Sequence, residues 1–261
     1  MHINVKTNRQ HWDDAWVIQP HMRLPSGLFV GTRNIQKLLK NYITPGMHVL
    51  EIGCAPGKIL AWVAKTLRAD VSGIDFSVQG MDNARRLFER LRISGHLLCE
   101  DIFETTFQEG SFDFVFSCGV IEHFEDPKQL IEIHAKLLKP GGKAVIAIPR
   151  YAGIYFRLQN YFDAHNLSLH NLHIMSPSSL AALAPRHLVK DVRCYPTGRM
   201  MSTLINFNKK LPKWLALGLT VCFNTIGLIQ PFDISNLCPL IVLEMTKEND
   251  SQKLYREKEV L

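Results

Sequence analysis

Short apolar runs alternate with longer amphipathic stretches between residues 45 and 149. The runs are short and bounded by glycine, proline or acidic residues, which is typical of buried strands. They predict β-strands at residues 48–52, 71–76, 96–99, 112–117 and 143–148. The amphipathic stretches repeat apolar residues with helical spacing and predict α-helices over residues 57–69, 77–93 and 126–139. This alternation of strand and helix predicts an α/β fold.

The nearly continuous apolar character of these strands indicates a parallel sheet that helices cover on both faces. Right-handed crossovers then produce a doubly wound, Rossmann-like sheet. Two further runs, at residues 187–195 and 238–246, bring the predicted number of strands to seven. Because ligands bind beyond the carboxyl ends of such strands, functional residues are expected directly after the strands.

The rhythm of strands and helices breaks after Pro149. The next residues are rich in aromatic residues, His, Asn and Ser and carry no clear strand pattern. We interpret the chain as one domain with cap insertions after strands five and six. Within residues 1–261, its parts are an N-terminal lid at 1–40, a ligand-binding core at 41–149, insertions at 150–186 and 198–237, a last strand at 238–246 and a charged tail at 247–261.

The formal net charge of +6 is unevenly distributed along the chain. Lys plus Arg against Asp plus Glu number 6 and 2 in residues 1–40, 11 and 14 in residues 41–149, and 13 and 8 in residues 150–261. Basic flanks that shape a binding site favour an anionic partner, with Arg33, Arg150 and Arg157 as candidate contacts. The alternative is a solvated basic surface.

The six cysteines are widely spaced and form no CxxC pair, which argues against a zinc ribbon or a thioredoxin-type redox site. The polar N-terminus shows no apolar signal-peptide core. Both observations favour a reducing, cytoplasmic compartment. No basic stripe with interleaved aromatic residues is present in the sequence, which argues against nucleic acid as the partner.

The segment VLEIGCAPGK at residues 49–58 runs from a strand through a glycine-rich turn into a helix. Such a turn presents backbone N–H groups to a polar ligand without an intervening side chain. A dinucleotide fingerprint needs glycines at 53, 55 and 58, and the chain has Gly53, Ala55 and Lys58. A phosphate P-loop needs Ser or Thr directly after Lys58, and the next residue is Ile. Both nucleotide-phosphate interpretations therefore fail.

Five motifs follow one another along the chain: VLEIGCAPG, SGIDFS, CEDIFE, FDFVFSCGVIEHFED and LLKPGGKAVIAIP. The first matches the pattern E-x-G-x-G-x-G at Glu51, Gly53 and Gly57, with Ala55 in place of the middle glycine. Taken together, residues 45–149 resemble the class I S-adenosylmethionine-dependent methyltransferases, in particular members that act on small molecules and glycans. The resemblance implies a mostly parallel seven-stranded sheet with an antiparallel last strand, S-adenosylmethionine as the cofactor, and methyl transfer as the activity.

The resemblance also implies roles for single residues. Glu51 orders the glycine turn or meets the amino group of the cofactor, Asp75 accepts hydrogen bonds from the ribose hydroxyls, and Asp101 accepts from the adenine amino group. The implied cofactor site consists of Glu51, Gly53, Cys54, Ala55, Gly57, Asp75, Phe76, Ser77, Asp101, Ile102, Cys118, Gly119 and His123. Three alternatives stay open: Asp75 as a helix cap, Asp101 as a solvated loop acid, and Cys118 as a small buried apolar residue.

Three histidines lie in the segment FDAHNLSLHNLH at residues 162–173. A neutral hydroxyl is a poor nucleophile unless a base removes its proton, and histidine is the usual base near neutral pH. We expect His170 or His165 to be this catalytic base. The alternatives are that these histidines only make loop and helix-cap hydrogen bonds, or that they form a metal site with Asp163; we assign no metal.

These features favour methyl transfer to a hydroxyl of a small molecule or sugar, including nucleotide- or lipid-linked sugars, in a biosynthetic pathway. The alternative is a membrane-associated lipid or quinone methyltransferase, and a third possibility is a non-catalytic domain that keeps the fold for partner binding. The uncharged run at residues 214–230 is shorter than a bilayer span. We expect it to form a buried cap helix or a homodimer contact. Peripheral contact of residues 211–231 with the inner face of a membrane is the alternative.

Overall fold

A mixed β-sheet forms the centre of the fold. The computed structural model describes residues 5–17 and 23–249, and within them there are seven strands. The strands are β1 (His48–Ile52), β2 (Asp70–Asp75), β3 (His96–Cys99), β4 (Phe112–Cys118), β5 (Leu138–Pro149), β6 (Val189–Thr197) and β7 (Leu240–Lys247). Their order is β3-β2-β1-β4-β5-β7-β6, in which β7 runs antiparallel to both of its neighbours and the other paired strands run parallel.

Helices connect these strands, and two further helices of the described residues precede β1. In the described part of the chain they are α1 (Arg9–Ala15), α2 (Val30–Lys40), α3 (Lys58–Trp62), α4 (Val78–Leu91), α5 (Lys128–Leu137), α6 (Ile154–Ser168), α7 (Pro177–Ala181) and α8 (Lys213–Ile229). Successive residues of β1 point to opposite faces. Leu50 packs in the same cluster as Leu130 of α5, and Val49 packs with Leu60 of α3 on the other face. The predicted doubly wound, mostly parallel seven-stranded sheet is therefore confirmed.

Two boundaries in the core differ from the prediction. The helix predicted over residues 57–69 ends as α3 at Trp62, and Val63–Leu67 forms a π-helical turn that stops at the left-handed Arg68. The strand predicted at 143–148 is longer, because β5 begins at Leu138 and includes the Pro-Gly-Gly turn that was expected to separate helix from strand. Leu138 pairs with Phe112 of β4, so the ladder extends across that turn.

The segment 150–186 contains helices, although no element was predicted there. Helix α6 is interrupted by non-helical backbone at Asp163, and its buried residues include Tyr155 and Phe162. Its apolar residues do not form a regular helical stripe, which explains why the sequence pattern did not reveal it. Helix α7 follows with Ser176 as its N-cap.

The segment 214–230 forms helix α8, but the predicted burial of this helix is wrong. As far as the described residues cover it, Ala216 and Gly227 are its only buried residues. Its other apolar side chains are half-buried or exposed. Within residues 5–17 and 23–249, helices of the length and hydropathy needed to cross a membrane are absent. The predicted tail at 247–261 lies outside the described residues from residue 250 onward.

Candidate active site

A cavity of about 950 Å³ lies at the carboxyl ends of β1, β2 and β4. This is the edge of the sheet at which parallel α/β folds bind ligands. Most of the predicted site residues line it: Glu51, Gly53, Cys54, Ala55, Asp75, Phe76, Asp101, Ile102, Cys118, Gly119 and His123. The two other residues of the predicted cofactor site, Gly57 and Ser77, shape the adjoining backbone instead.

The turn after β1 is built for close backbone approach. Gly53 has a φ of +73°, and a Cβ at this position would overlap the side chain of Val120. Gly57 has a φ of +83°, and a Cβ there would come within 2.8 Å of the Ala84 Cβ. Side chains at both positions would therefore be strained and obstructed. This explains why glycines flank the turn, whereas Ala55 between them is tolerated.

Asp75 ties the end of β2 to this turn. Its Oδ2 accepts a hydrogen bond from the Ala55 N–H at 3.1 Å, and its Oδ1 accepts from the Ser77 N–H at 2.9 Å. Burial raises the pKa of the Asp75 carboxyl, and the two backbone N–H groups act in the opposite direction. Ser77 caps α4 through the Gly80 N–H. The alternative interpretation of Asp75 as the helix cap is therefore wrong.

Glu51, at the end of β1 in the cavity wall, has a carboxylate oxygen that lacks a hydrogen-bond partner among the described residues. The residue is 3% exposed, and the oxygen concerned is Oε2. Burial, followed by the nearby charge of Asp75, holds the pKa of the Glu51 carboxyl well above its ordinary value. A buried carboxylate oxygen without a partner is costly, and a cationic or hydrogen-bonding ligand in the cavity would remove that cost.

Helix α1 closes the cavity from the N-terminal side, and the sequence did not identify its contacts. Asp13 accepts hydrogen bonds from the Ser77 hydroxyl at 2.6 Å and from the Gln79 N–H at 3.1 Å. The hydrogen bond from Ser77 lowers the pKa of the Asp13 carboxyl. Trp12 and Trp16, one helical turn apart, both line the cavity. The spacing of these two tryptophans on a short polar helix was the available signal.

The far end of the cavity is formed after β3. Asp101 caps a short 3₁₀ turn by accepting the Phe103 N–H at 3.0 Å, and Ile102 and Phe103 line the wall beside it. Phe76 faces this region from the end of β2, with the Arg9 guanidinium 5.8 Å from its ring centre. An exposed carboxylate beside apolar walls can contact a flat heterocycle at its edge and faces.

At the end of β4, His134 of α5 supports the strand, and Cys118 and Gly119 line the cavity. His134 Nε2 lies 2.9 Å from the Ser117 hydroxyl, and its Nδ1 lies 2.7 Å from the Leu130 carbonyl. Burial lowers the pKa of His134 to about 4, so this imidazole stays neutral and supports the strand. Cys118 and Gly119 follow in the cavity wall. Burial keeps the pKa of the Cys118 thiol well above its ordinary value, so it is not a thiolate nucleophile.

Next to this wall lies a cluster of the buried Glu122 and His123 and the half-buried His170, of which His123 lines the cavity. One ligand atom from each residue lies within 4.8 Å of those of the other two, so these are also the described residues that could hold a metal ion. His123 Nδ1 is 3.0 Å from the Leu169 carbonyl, and His170 Nδ1 is 2.9 Å from the Asn166 carbonyl. Both imidazoles therefore carry a proton on Nδ1 and leave Nε2 as the acceptor.

Burial shifts the pKa of the acid and the pKa values of the histidines in this cluster in opposite directions. Glu122 is 1% exposed, and within the described part of the chain its Oε2 finds no hydrogen-bond partner. Burial raises the pKa of the Glu122 carboxyl to about 8 and lowers that of His123 to about 4. Burial also lowers the pKa of His170. Glu122 Oε1 lies 3.9 Å from His123 Nε2, and the His123 ring lies in the cavity wall against Trp12.

One family model, described as a methyltransferase domain, matches residues 50–146. These residues extend from β1 through most of β5 and include the residues at the strand ends that line the cavity. This match agrees with the resemblance of the core to the class I S-adenosylmethionine-dependent methyltransferases.

Relatives of known name agree with this family. A ubiquinone biosynthesis O-methyltransferase of Coxiella burnetii (strain Dugway 5J108-111) is 35% identical over 134 residues, which are 51% of this chain and 53% of that protein. An O-methyltransferase of Pyrenophora dematioidea is 31% identical over 106 residues, 40% of each chain. The chain thus spans about half the length of the first of these relatives.

Solved structures show the same fold at low sequence identity. Phosphoethanolamine N-methyltransferase 2 of Haemonchus contortus, in complex with S-adenosyl-L-methionine, superposes with a TM-score of 0.59 at 19% identity, over 93% of this chain and 58% of that one. An S-adenosylmethionine-dependent methyltransferase of Archaeoglobus fulgidus gives a TM-score of 0.54 at 16% identity, over 82% of this chain and 91% of that one. These likenesses support the fold assignment.

The predicted acceptor-side residues are only partly brought together. His170 lies in the cluster behind His123, whereas His165 is exposed on α6 and does not line the cavity. Asp163 accepts hydrogen bonds from Asn166 and Asn206 instead of joining the histidines, so the structure does not support its role as a metal ligand.

The arginines predicted to contact an anion lie elsewhere. Within the described residues, Arg33, Arg150 and Arg157 are absent from the cavity wall. Arg150 donates to the Ser235 carbonyl at 2.9 Å, which places its guanidinium against the loop before β7. A partner that these three residues contact would therefore have to bind outside this cavity.

Proposed function

We propose that the protein is an O-methyltransferase that moves the methyl group of S-adenosylmethionine to a hydroxyl of a small molecule or sugar. The cofactor supplies a methyl group already activated on a sulfonium. The chain has to hold the cofactor, align the acceptor oxygen and take the acceptor proton. The observation that carries this proposal is the cavity itself, in which the motifs converge on a buried carboxyl group with one oxygen that is unpartnered among the described residues.

The residues of the cavity fit the three parts of such a cofactor. The unpartnered Glu51 oxygen suits the amino group of the methionine part, beside the turn at Gly53. Asp75 offers two carboxylate oxygens, each with a further lone pair, to a vicinal diol. Phe76 and Asp101 suit the face and the edge of an adenine. The cavity volume of about 950 Å³ leaves room for an acceptor beside it.

The Glu122–His123–His170 cluster is suited to take a proton from a hydroxyl. His123 Nε2 can accept the proton at the cavity wall while the electron pair stays on the acceptor oxygen. The Glu122 carboxylate, 3.9 Å from that nitrogen, then stabilises the imidazolium and takes up the proton. Because the pKa of Glu122 is about 8, the competent carboxylate form increases as the pH rises through this value. In this arrangement His170 supports His123 from behind.

The choice of oxygen as the methyl acceptor rests on two supports. The relatives at 35% and 31% identity are both named as O-methyltransferases. A proton-accepting cluster is also most useful for a hydroxyl, since a neutral alcohol or phenol attacks poorly. A lipid or quinone acceptor is the second candidate, and the exposed face of α8 favours it.

Equilibrium binding of S-adenosylmethionine by titration calorimetry tests the first step. We expect one site per chain, and competition by S-adenosylhomocysteine. The second step is release of S-adenosylhomocysteine in the presence of a panel of phenols, sugar alcohols and amines, followed by mass spectrometry of the product. Lack of binding at millimolar cofactor would refute the enzyme assignment. A panel in which amines alone are methylated would refute the oxygen acceptor.

A further inference from the structure

Helix α8 presents its apolar side chains to the outside of the protein. Trp214, Leu217 and Val221 are 73%, 63% and 55% exposed, and Leu228 and Ile229 continue the same face two turns later. Spacings of three, four and seven residues place Trp214, Leu217, Val221 and Leu228 on one side of the helix, and Ile229 lies beside Leu228 at the edge of that side. An ordinary surface helix shows polar residues there. We call this set of five side chains the outer stripe.

The inner face of α8 is fixed to the protein. Asn224 Oδ1 accepts hydrogen bonds from the backbone N–H and the hydroxyl of Ser202, both at 3.2 Å. Gly227 lies so close to the Met200 carbonyl that a Cβ would overlap it. Asn224 is half-buried at the edge of the stripe and bonds Ser202, whereas Ala216 and Gly227 mark the buried inner side of the helix. Turning the helix to bury the stripe would break these contacts.

The charges beside the outer stripe are mostly positive, and the exposed Asp233 after α8 is the exception. Residues 192–232 contain five Lys or Arg and no Asp or Glu. Lys210 and Lys213 are exposed at the N-terminal end of α8, and Arg199 donates to the Leu228 carbonyl at the other end at 3.3 Å. An apolar stripe with cations at both ends is complementary to a bilayer surface that exposes anionic headgroups above acyl chains.

We propose that α8 lies in the plane of an anionic lipid bilayer, with the outer stripe at the acyl boundary and its flanking cations among the headgroups. The helix has 17 residues and is therefore about 25 Å long, which suits in-plane contact along its whole length. Trp214, beside Lys213, has the amphipathic ring typical of the interface. A second copy of the chain on the same face is the competing occupant, and the sedimentation measurement below distinguishes it from the bilayer.

This docking deepens the proposed function and rests on it where the acceptor is concerned. Helix α8 packs against α2, whose Thr32 lines the cavity. A protein held at the bilayer through α8 would keep this wall of its cavity near the lipid phase. The acceptor is then a hydroxyl on a lipid-soluble molecule, which is the chemistry of the second candidate above.

Vesicle flotation of the full chain tests the docking without any methyl acceptor. The probes are vesicles of phosphatidylcholine alone and vesicles that also contain phosphatidylglycerol. We expect flotation with the second kind, weakened by added salt. The double variant Leu217→Glu/Val221→Glu should lower the partition coefficient about tenfold or more. The double variant Lys210→Glu/Lys213→Glu should lower it by a similar factor, about fivefold for each charge.

Val78→Glu is the matched control, because Val78 is 49% exposed on α4, away from the outer stripe. It should float like the wild type. Circular dichroism and S-adenosylmethionine affinity of each variant separate misfolding, or failure of the enzyme proposal, from failure of docking. The docking proposal is overturned if the wild type does not float with anionic vesicles, or if Val78→Glu weakens flotation as much as the stripe variants do. It is also overturned if sedimentation shows a dimer that the stripe substitutions dissolve while flotation is absent.

Discussion

Asp75 in the cavity wall and Glu122 next to it are held by contacts from different parts of the chain. At the ends of β1 and β2, Asp75 is bound by backbone N–H groups of the turns that immediately surround it. At the end of β4, Glu122 depends on His123 and on a loop about fifty residues further along the chain, whose Asn171 N–H donates to the Glu122 carbonyl. The contacts of Asp75 therefore come from within 20 residues of the chain, whereas the main chain at Glu122 is held by a residue about fifty positions away. A change at one of these two residues should leave the surroundings of the other largely intact.

Glu122→Gln should give the largest effect. The amide keeps the shape of the carboxylate but cannot take up a proton, so kcat should fall about 10²–10³-fold when measured above pH 8. The affinity for S-adenosylmethionine should stay within a factor of two of wild type, because Glu122 does not line the cavity. Stopped or coupled assays of S-adenosylhomocysteine release, with calorimetry of cofactor binding, measure both quantities. Wild-type turnover would exclude Glu122 as the proton acceptor.

Asp75→Ala should instead affect cofactor binding. Loss of charged hydrogen bonds should weaken S-adenosylmethionine binding by about 1.5–3 kcal/mol, or roughly 10- to 150-fold in Kd. Asp70→Ala is the matched control, since Asp70 is an exposed acid at the start of the same strand. Calorimetric titration of both variants provides the measurement. An equal Kd for the two variants would remove the ribose role of Asp75.

The pH dependence of stability isolates the buried Glu122. Its pKa is raised to about 8 in the folded protein, so the folded state binds more protons than the unfolded state between about pH 4.5 and 8. The stability that the neutral carboxyl contributes is fully present below this window and is lost as the pH rises through it. Between pH 6.5 and 8, wild type should lose about 1–2 kcal/mol of unfolding free energy relative to Glu122→Gln. Urea unfolding of both proteins at several pH values checks this, and parallel pH profiles would contradict it.

His170→Ala should produce the smallest of these changes. Removing a ring that only supports His123 should lower kcat about tenfold, the equivalent of about 1.4 kcal/mol, with cofactor affinity unchanged. His165→Ala is the matched control from the same segment, because His165 is exposed on α6. Steady-state rates of the two variants show which of the two histidines, His170 or His165, contributes to catalysis. A larger loss in His165→Ala would invert the assignment.

The same division between local and distant contacts explains what the sequence could predict. Strand β3 was predicted with its observed limits at residues 96–99, because the apolar run and its flanking residues are adjacent in the chain. The site residues of the core followed from motifs of the same local kind. In contrast, the contact of Asp13 with Ser77 joins residues 64 positions apart, and no periodicity encodes it.

Helix α8 shows a second limit of prediction. An uncharged run of this length is normally buried, and hydropathy alone does not reveal which face the protein covers. The orientation is decided by Asn224 and Gly227, whose partners at Ser202 and Met200 lie in a preceding loop. The sequence therefore predicts an uncharged apolar helix, but tertiary contacts determine which face of that helix the protein covers.

Asn171 has a consequence for how such a protein can acquire new acceptors. Its amide donates to the carbonyls of Phe124 and Glu125 at 3.0 and 2.9 Å, in addition to the N–H bond to Glu122. Asn171 thus anchors the insertion to main-chain carbonyls of the turn after β4 through its side-chain amide and its own N–H. Apart from His170, side chains elsewhere in the insertion can diverge during evolution without disturbing the alignment of the reacting groups, provided that this amide is retained.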